Sequence, residues 1–325
     1  MRKAKKGKKL MTNSYFAAID LGTNSCRLVI SDAQKNYVYK DTHPVRLGEG
    51  MHENMCFTPE AMARGYESLA DFQKHIAAYG CCKVRAVATA ACRMASNGME
   101  FVKNVEEKCG IKLEVIDGEE EARLNLKGAV MNSKGRAPYV LVYDLGGGST
   151  EITLATNDDE QKILYTVSIP WGARNAAEAF HLQDVYQLQG AEDLRQAVKA
   201  YTDKFKAESD YLQLKDDCFA VATSSNPLRL SAWIHQRGEY NREKEDGQIL
   251  AVADMDNVLA QVNAMSRQER EDCVYIGKKR AAIFIAAGVI FKTVYDELGL
   301  SGLMASLKSA KDGIIEELIT EVQHG

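Results

Sequence analysis

Two short segments of this chain carry the same punctuation between apolar runs. The first reads Phe16-Ala-Ala-Ile-Asp20, then Leu21-Gly22-Thr23-Asn24-Ser25, then Arg27-Leu-Val-Ile30. The second reads Tyr139-Val-Leu-Val-Tyr-Asp144, then Leu145-Gly146-Gly147-Gly148-Ser149, then Glu151-Ile-Thr-Leu-Ala155. Each is an apolar strand that ends in Asp-Leu-Gly-x-x-Ser and returns as a second strand, the pattern of a tight hairpin. One such unit alone is more often an ordinary turn. Two matched units in one chain imply two halves built alike, each contributing one loop.

The rest of the chain alternates strands and helices around these hairpins, as an α/β protein does. Tyr37-Val-Tyr39 is followed by a loop holding Arg46-Leu-Gly-Glu-Gly50. Thr58 as cap, Pro59 in the first turn and the stripe Met62, Tyr66, Leu69, Phe72 and Ile76 predict a helix that Gly80 ends. Val84 to Ala88 reads as a short buried strand, with Arg93 in the loop beyond it. A helix near Phe101–Lys108, a strand over Ile111–Ile116 and a helix over Glu119–Val130 follow. The linker Asn132-Ser-Lys-Gly-Arg-Ala-Pro138 separates the two halves. Beyond the second hairpin, helices are expected over Ala191–Glu208, Pro227–Gln236, Val252–Met265 and Lys279–Leu298, with strands near Phe219 and Leu303. The expected domains are 14–131 and 138–325, preceded by a basic tail over 1–13.

Composition narrows the function. The chain has 325 residues, 46% hydrophobic and 26% charged, and a net charge of −4. Its length suits two domains, since single cores stop growing near ~250–300 residues. No apolar run reaches the ~20 residues of a membrane-spanning helix. Arg2, Lys3, Lys5, Lys6, Lys8 and Lys9 crowd the tail, which reads as solvated and leaves the remainder clearly acidic. That excludes broad non-specific nucleic-acid binding, so any polyanion site must be a local basic patch. The eight cysteines form no Cys-x-x-Cys pair, and several lie in apolar runs where a thiol acts as a small hydrophobe. A reducing compartment, the cytoplasm, is the expectation.

The hairpin loops have the chemistry to hold phosphate. Glycines at positive φ would turn amide N–H groups toward one point, making an anion nest. Thr23, Asn24, Ser25, Ser149 and Thr150 add side-chain donors beside Gly146, Gly147 and Gly148. Asp20 and Asp144 cannot bind phosphate themselves, but can hold Mg²⁺ or its waters against it.

These loops resemble the two phosphate loops of the actin, sugar kinase and heat-shock ATPase superfamily. Within it the chain resembles the exopolyphosphatase / guanosine pentaphosphate phosphohydrolase family, through Ala17-Ala-Ile-Asp-Leu-Gly-Thr-Asn-Ser25, Thr89-Ala-Ala-Cys-Arg-Met-Ala-Ser-Asn97, Gly118-Glu-Glu-Glu-Ala-Arg-Leu124 and Asp144-Leu-Gly-Gly-Gly-Ser-Thr-Glu151. Weaker matches are Arg46–Gly50, Ile169-Pro-Trp-Gly-Ala173 and Lys311-Asp-Gly-Ile-Ile315. The resemblance implies two ribonuclease H-like (actin-like ATPase) domains with a cleft between them. It further implies hydrolysis of phosphoanhydride bonds in inorganic polyphosphate or guanosine pentaphosphate, the two substrates remaining open.

The same resemblance assigns roles. Glu121, directly before Ala-Arg-Leu, is the general base, with Glu120 as a helper; a helix dipole otherwise accounts for Glu119 and Glu120. Asp144 and Glu151 position Mg²⁺ or the attacking water, with Asp20 as a third carboxylate. Arg93 and Asn97 bind phosphate oxygens. Lys278, Lys279 and Arg280, read as opening a long helix, would line a channel for a longer chain. The chain departs from the family at Ala222-Thr-Ser-Ser-Asn-Pro-Leu228, where a Gly-Gly-Thr-like loop is usual and no glycine is present. That departure weakens the case for nucleotide binding: it motivates one alternative, a non-catalytic polyphosphate or alarmone sensor, and argues against another, an ATP-dependent phosphotransferase. Longer family members add a helical module that supports dimerisation, so a homodimer is a further partner state to test.

Overall fold

The computed structural model describes residues 14–324, and the basic tail lies outside the described residues. The first half runs β1 (Tyr15–Leu21), β2 (Cys26–Asp32), β3 (Tyr37–His43), α1 (Met51–Asn54), α2 (Pro59–Tyr79), β4 (Lys83–Ala88), α3 (Ala90–Met94), α4 (Gly98–Cys109), β5 (Leu113–Val115) and α5 (Gly118–Ala129). The second runs β6 (Tyr139–Leu145), β7 (Thr150–Thr156), β8 (Ile163–Ile169), α6 (Ala173–Ala179), α7 (Leu188–Glu208), α8 (Tyr211–Leu214), β9 (Cys218–Thr223), α9 (Ser225–Ile234), α10 (Arg242–Glu245), β10 (Ile249–Ala251), α11 (Val252–Ala264), α12 (Arg267–Asp272), α13 (Phe284–Glu297), β11 (Gly302–Ala305) and α14 (Ala310–His324).

The duplication seen in the hairpins extends to whole sheets. One sheet has the order β3-β2-β1-β4-β5, the other β10-β11-β9-β6-β7-β8. In the first, β1 is antiparallel to β2 and parallel to β4. In the second, β6 is antiparallel to β7 and parallel to β9. Strands β8-β7-β6-β9-β11 therefore repeat β3-β2-β1-β4-β5, with β10 added at the edge. This is the ribonuclease H-like arrangement twice over, the expected α/β class. Both central hairpins are buried on both faces, which explains why their sequences run apolar without alternation.

Helix α2 forms as its sequence dictates. Thr58 accepts the Ala61 N–H, Gly80 takes the left-handed conformation at φ 61°, and Leu69, Phe72 and Ile76 are buried. Other expectations shift. Arg93 sits on the short helix α3, not in a loop. The strand over 111–116 narrows to Leu113–Val115. Lys278, Lys279 and Arg280 do not open a helix: they lie in turns after Gly277, whose φ is 71°, and α13 starts at Phe284. Their charge is thereby kept off a positive helix end. Strands β8 and β10 and helix α6 went unforeseen.

Helix α14 returns to the first sheet, where Ile314, Ile315, Leu318 and Ile319 pack with Phe16, Ala18, Val29, Val87 and Leu124. Burying those four side chains contributes roughly 1.5–3 kcal/mol each before entropy. Helix α5 faces both ways, since Leu126, Ala129 and Val130 join Val140, Val142, Val221 and Met304 of the second sheet. The two helices cross closely. A Cβ on Gly128 would lie 2.2 Å from Ser309 O, and one on Gly313 would lie 2.2 Å from Leu124 O. Glycine at both positions is what permits the crossing.

Candidate active site

Both hairpins close with the same bond: Gly22 N donates to Ser25 O at 3.0 Å, and Gly146 N donates to Ser149 O at 2.9 Å. None of Gly22, Gly146, Gly147 and Gly148 has a positive φ, contrary to the expected nest geometry. Gly147 and Gly148 are required instead for close approach. The two loops pack on each other so tightly that a Cβ on Gly147 would lie 3.1 Å from Thr23 Cβ, and one on Gly148 would lie 2.7 Å from Thr23 Oγ1. The carbonyls of the second loop are consumed from behind, by Ala173 N to Gly146 O, Arg174 N to Gly147 O and Asn175 Nδ2 to Gly148 O. The amides of Gly147, Gly148 and Ser149 donate to no protein acceptor among the described residues, which leaves them available to an anion.

Across each hairpin the Asp meets a different partner. Asp20 pairs in register with Arg27, whose Nη1 lies 2.9 Å from Asp20 Oδ2. Asp144 pairs in register with Glu151. The first loop thus carries a neutralised carboxylate and the second a doubled one. Glu151 is 2% exposed; its Oε1 accepts from Ser168 Oγ at 3.0 Å, while Oε2 is buried without a hydrogen-bond partner. Burial pushes its carboxyl up to about 7, with the Asp144 charge adding to the rise. Burial, then the charge of Glu151, holds Glu121 well above the usual carboxylate range against the pull of Arg93. Burial also raises Asp144, partly offset by Arg27 and the Asn125 amide.

Glu121, Asp20, Asp144, Thr23, Asn24, Ser25, Gly146, Gly147, Gly148 and Ser149 line one cleft. Glu151, beside Asp144 across the ladder, does not itself line this cleft. Arg93 donates from Nη1 to Glu121 Oε2 at 2.9 Å and to Ile116 O at 2.7 Å, so it braces the carboxylate. Asn97 is not brought to the cleft. Its Nδ2 donates to Phe57 O at 3.0 Å and its Oδ1 accepts Phe57 N at 2.8 Å, a backbone clamp that uses both ends of the amide. Thr150 is likewise committed, its Oγ1 donating to Trp171 O at 2.8 Å. Glu120 is not a helper at the site, because it pairs with Arg85 and Arg123.

The donor set suits a hard divalent cation. Asp144 and the unpartnered Glu151 Oε2 offer oxygen only, with Glu121 nearby and Asp20 already engaged by Arg27. The one group of three His, Cys, Asp or Glu with ligand atoms within 4.8 Å among the described residues is Asp41, His43 and Asp71, on β3 and α2 outside this cleft.

A model of the Ppx/GppA phosphatase family matches residues 29–321. The chain belongs to the Ppx/GppA phosphatase family. It is 30% identical over 322 residues to Exopolyphosphatase 2 of Mycobacterium tuberculosis, covering 94% of this chain and 98% of that protein. It is 28% identical over 322 residues to a bifunctional 3-dehydroquinate synthase/phosphatase of Fusobacterium nucleatum, covering 95% of this chain but only 47%, about half, of that protein. The crystal structure of an exopolyphosphatase from Cytophaga hutchinsonii superposes with a TM-score of 0.84 at 23% identity, covering 96% of this chain and 100% of that one, a likeness of fold.

This Ppx/GppA protein has a further wall that motif reasoning found only in part. The cleft continues into a pocket of about 200 Å³ lined by Arg27, Arg46, Arg229, Arg242, Lys279, Arg280 and Lys311, with Asp144 as the one carboxylate. Lys279 and Arg280 were expected near the chain; Arg27, Arg46, Arg229 and Arg242 were not, because they come from four separate places in the sequence. Burial, then the guanidiniums of Arg229 and Arg27, lowers Arg280 to about 9. Such crowding of cations calls for an anion between them. The glycine-free loop reaches the same wall. Ser224 takes φ 86°, ψ −173°, a conformation almost reserved for glycine, and caps α9. The loop bears this strain without a glycine.

Proposed function

We propose that this protein is a Mg²⁺-dependent exopolyphosphatase that releases terminal orthophosphate from inorganic polyphosphate. The observation that carries this reading is the continuity of the carboxylate cleft with the basic pocket, which share Asn24, Ser25, Arg27, Asp144 and Arg280. A terminal phosphoryl group would sit against the loop amides while the next phosphates run along the cations.

In this reading Glu121 accepts the proton of a water that attacks the terminal phosphorus, and the bridging oxygen leaves with the shortened chain. Arg93 fixes Glu121 Oε2, and burial beside Glu151 raises the proton affinity of Glu121, as a proton acceptor requires. The Gly147, Gly148 and Ser149 amides with Arg27 and Arg280 hold the phosphoryl oxygens. Asp144 and Glu151 would hold Mg²⁺, which supplies positive charge for the oxygens of the transferred group.

Guanosine pentaphosphate is the second candidate substrate, and the pocket offers it less. Tyr240 is the one aromatic side chain on the basic wall, and its face carries the Arg229 guanidinium at 4.0 Å from the ring centroid. A non-catalytic regulator would use the same pocket without turnover. A kinetic comparison of long polyphosphate, short polyphosphate and guanosine pentaphosphate with Mg²⁺ tests all three. The expected result is multiple-turnover orthophosphate release, fastest from polyphosphate, and a kcat for Glu121→Gln lower by roughly 10²–10⁴ with KM little changed. Binding without turnover would establish the regulator instead. The compartment proposed is the reducing cytoplasm, supported by eight cysteines that are all free.

A further inference from the structure

A residue outside every motif holds the Asp144 carboxylate. Asn125 lies one helical turn beyond Glu121 on α5, so the two share a face of the helix, and it is 2% exposed. Its Nδ2 donates to Asp144 Oδ2 at 2.9 Å, and its Oδ1 accepts the backbone N–H of Ala310 at 2.7 Å. The second bond orients the first. A main-chain N–H only donates, so the carbonyl end of the amide must face Ala310 and the NH₂ end must face Asp144. Flipping the amide would set donor against donor and carbonyl against carboxylate, leaving buried groups unsatisfied on both sides.

We propose that Asn125 is a positioning residue for the hydrolytic centre, tying the Asp144 carboxylate to the first turn of α14. That turn does more than end a loop. Ser309 and Lys311, flanking Ala310, line the basic pocket, and Ser309 N donates to Asp312 Oδ2 at 2.8 Å to set the start of the helix. The same turn sits at the close crossing of α5 and α14, where Gly128 meets Ser309 O. Lys311 Nζ is itself held in this turn by Leu307 O, Ser309 Oγ and Asp312 Oδ2, so a phosphate chain lying against this wall bears on Asp144 through the two hydrogen bonds of Asn125. The orientation of the carboxylate is set by the wall that binds the chain, not by its own rotamer preference alone. An asparagine is the side chain that can do this. Aspartate would accept from Ala310 but repel Asp144, and an apolar residue would satisfy neither.

This inference rests on the phosphohydrolase reading, and two variants separate a positioning role from a merely structural one. Asn125→Asp keeps an acceptor for Ala310 and removes the donor to Asp144. Asn125→Leu removes both bonds at similar volume. Orthophosphate release, thermal melting and the crystal structure of each variant are measured beside the wild type. The expected result is that Asn125→Asp lowers kcat by about tenfold or more, with KM within about twofold. In its crystal structure Asp144 takes a different χ1 or χ2. Asn125→Leu loses both kcat and thermal stability. A kcat for Asn125→Asp within about twofold of wild type, or an unmoved Asp144, overturns the proposal. If the wild-type protein releases no orthophosphate, the phosphohydrolase reading fails separately, and the position of Asp144 in the Asn125→Asp crystal structure still decides the positioning role.

Discussion

Asp20 and Asp144 hold the same place in matched hairpins, and the residue across the ladder decides what each can do. Arg27 neutralises the first, while Glu151 adds a second buried carboxylate beside the other. That difference was visible in the sequence as one Arg and one Glu at equivalent positions, once the duplication was aligned. Other residues were legible in identity and not in task. Arg93 and Asn97 sit on one motif, yet Arg93 braces Glu121 and Asn97 clamps Phe57. A motif says that residues recur together; it does not say which of them turns toward the cleft. Asn97→Ala is therefore expected to destabilise the fold by about 1–3 kcal/mol through the two lost bonds. Its kcat/KM should stay within about threefold of wild type, as read by denaturant melts and orthophosphate release. Asn125 gave no signal at all, because its meaning depends on Ala310, far away in the chain.

At the scale of elements, periodicity located what is amphipathic and missed what is short or depends on partners. The 58–80 helix was legible from its cap, its stripe and its terminal glycine. Strand β8 and helix α6 went unread although they support the second loop from behind, since Pro170, Trp171 and Gly172 between them obscure both periods. The acidic start of α5 also had two explanations that only packing could separate. Glu121 faces the cleft, whereas Glu120 joins Arg85, Arg123 and, through them, Glu317 of α14. Hydrogen bonds from Arg123, with Arg85 beside it, lower the Glu120 carboxyl to about 2. A carboxyl with a depressed folded value adds stability above its unfolded value of 4.5, and that stability is lost as pH falls toward 2. Glu120→Gln is expected to cost about 1–2 kcal/mol at pH 7, the shift being discounted for partial exposure. The difference from wild type should shrink between about pH 4.5 and 2, as followed by denaturant melts across that range.

For the whole molecule, an acidic chain presents its cations inward on one pocket. Net charge alone argued against polyanion binding by the general surface, and the local exception had to be assembled from β2, the 44–48 loop, α9, α10, the 278–283 turns and the start of α14. Ion pairing there should be screened by salt. KM for polyphosphate is expected to rise roughly tenfold or more between 50 and 200 mM salt while kcat stays nearly constant, by analogy with counterion release from other polyanions. A flat KM would place the chain elsewhere. The two-domain division was legible from the duplicated hairpins, but the return of α14 was not, because a helix that packs on the first sheet is encoded at the far end of the chain.

That return of α14 sets an order of events during synthesis. The sheet that carries Asp20 is laid down first, yet Phe16, Ala18, Val29 and Val87 keep an uncovered face until residues 310–324 have been made. Domains commonly complete as they leave the ribosome, N-terminal first. Here the earlier domain finishes last, and the nascent chain must shelter that face for most of its translation.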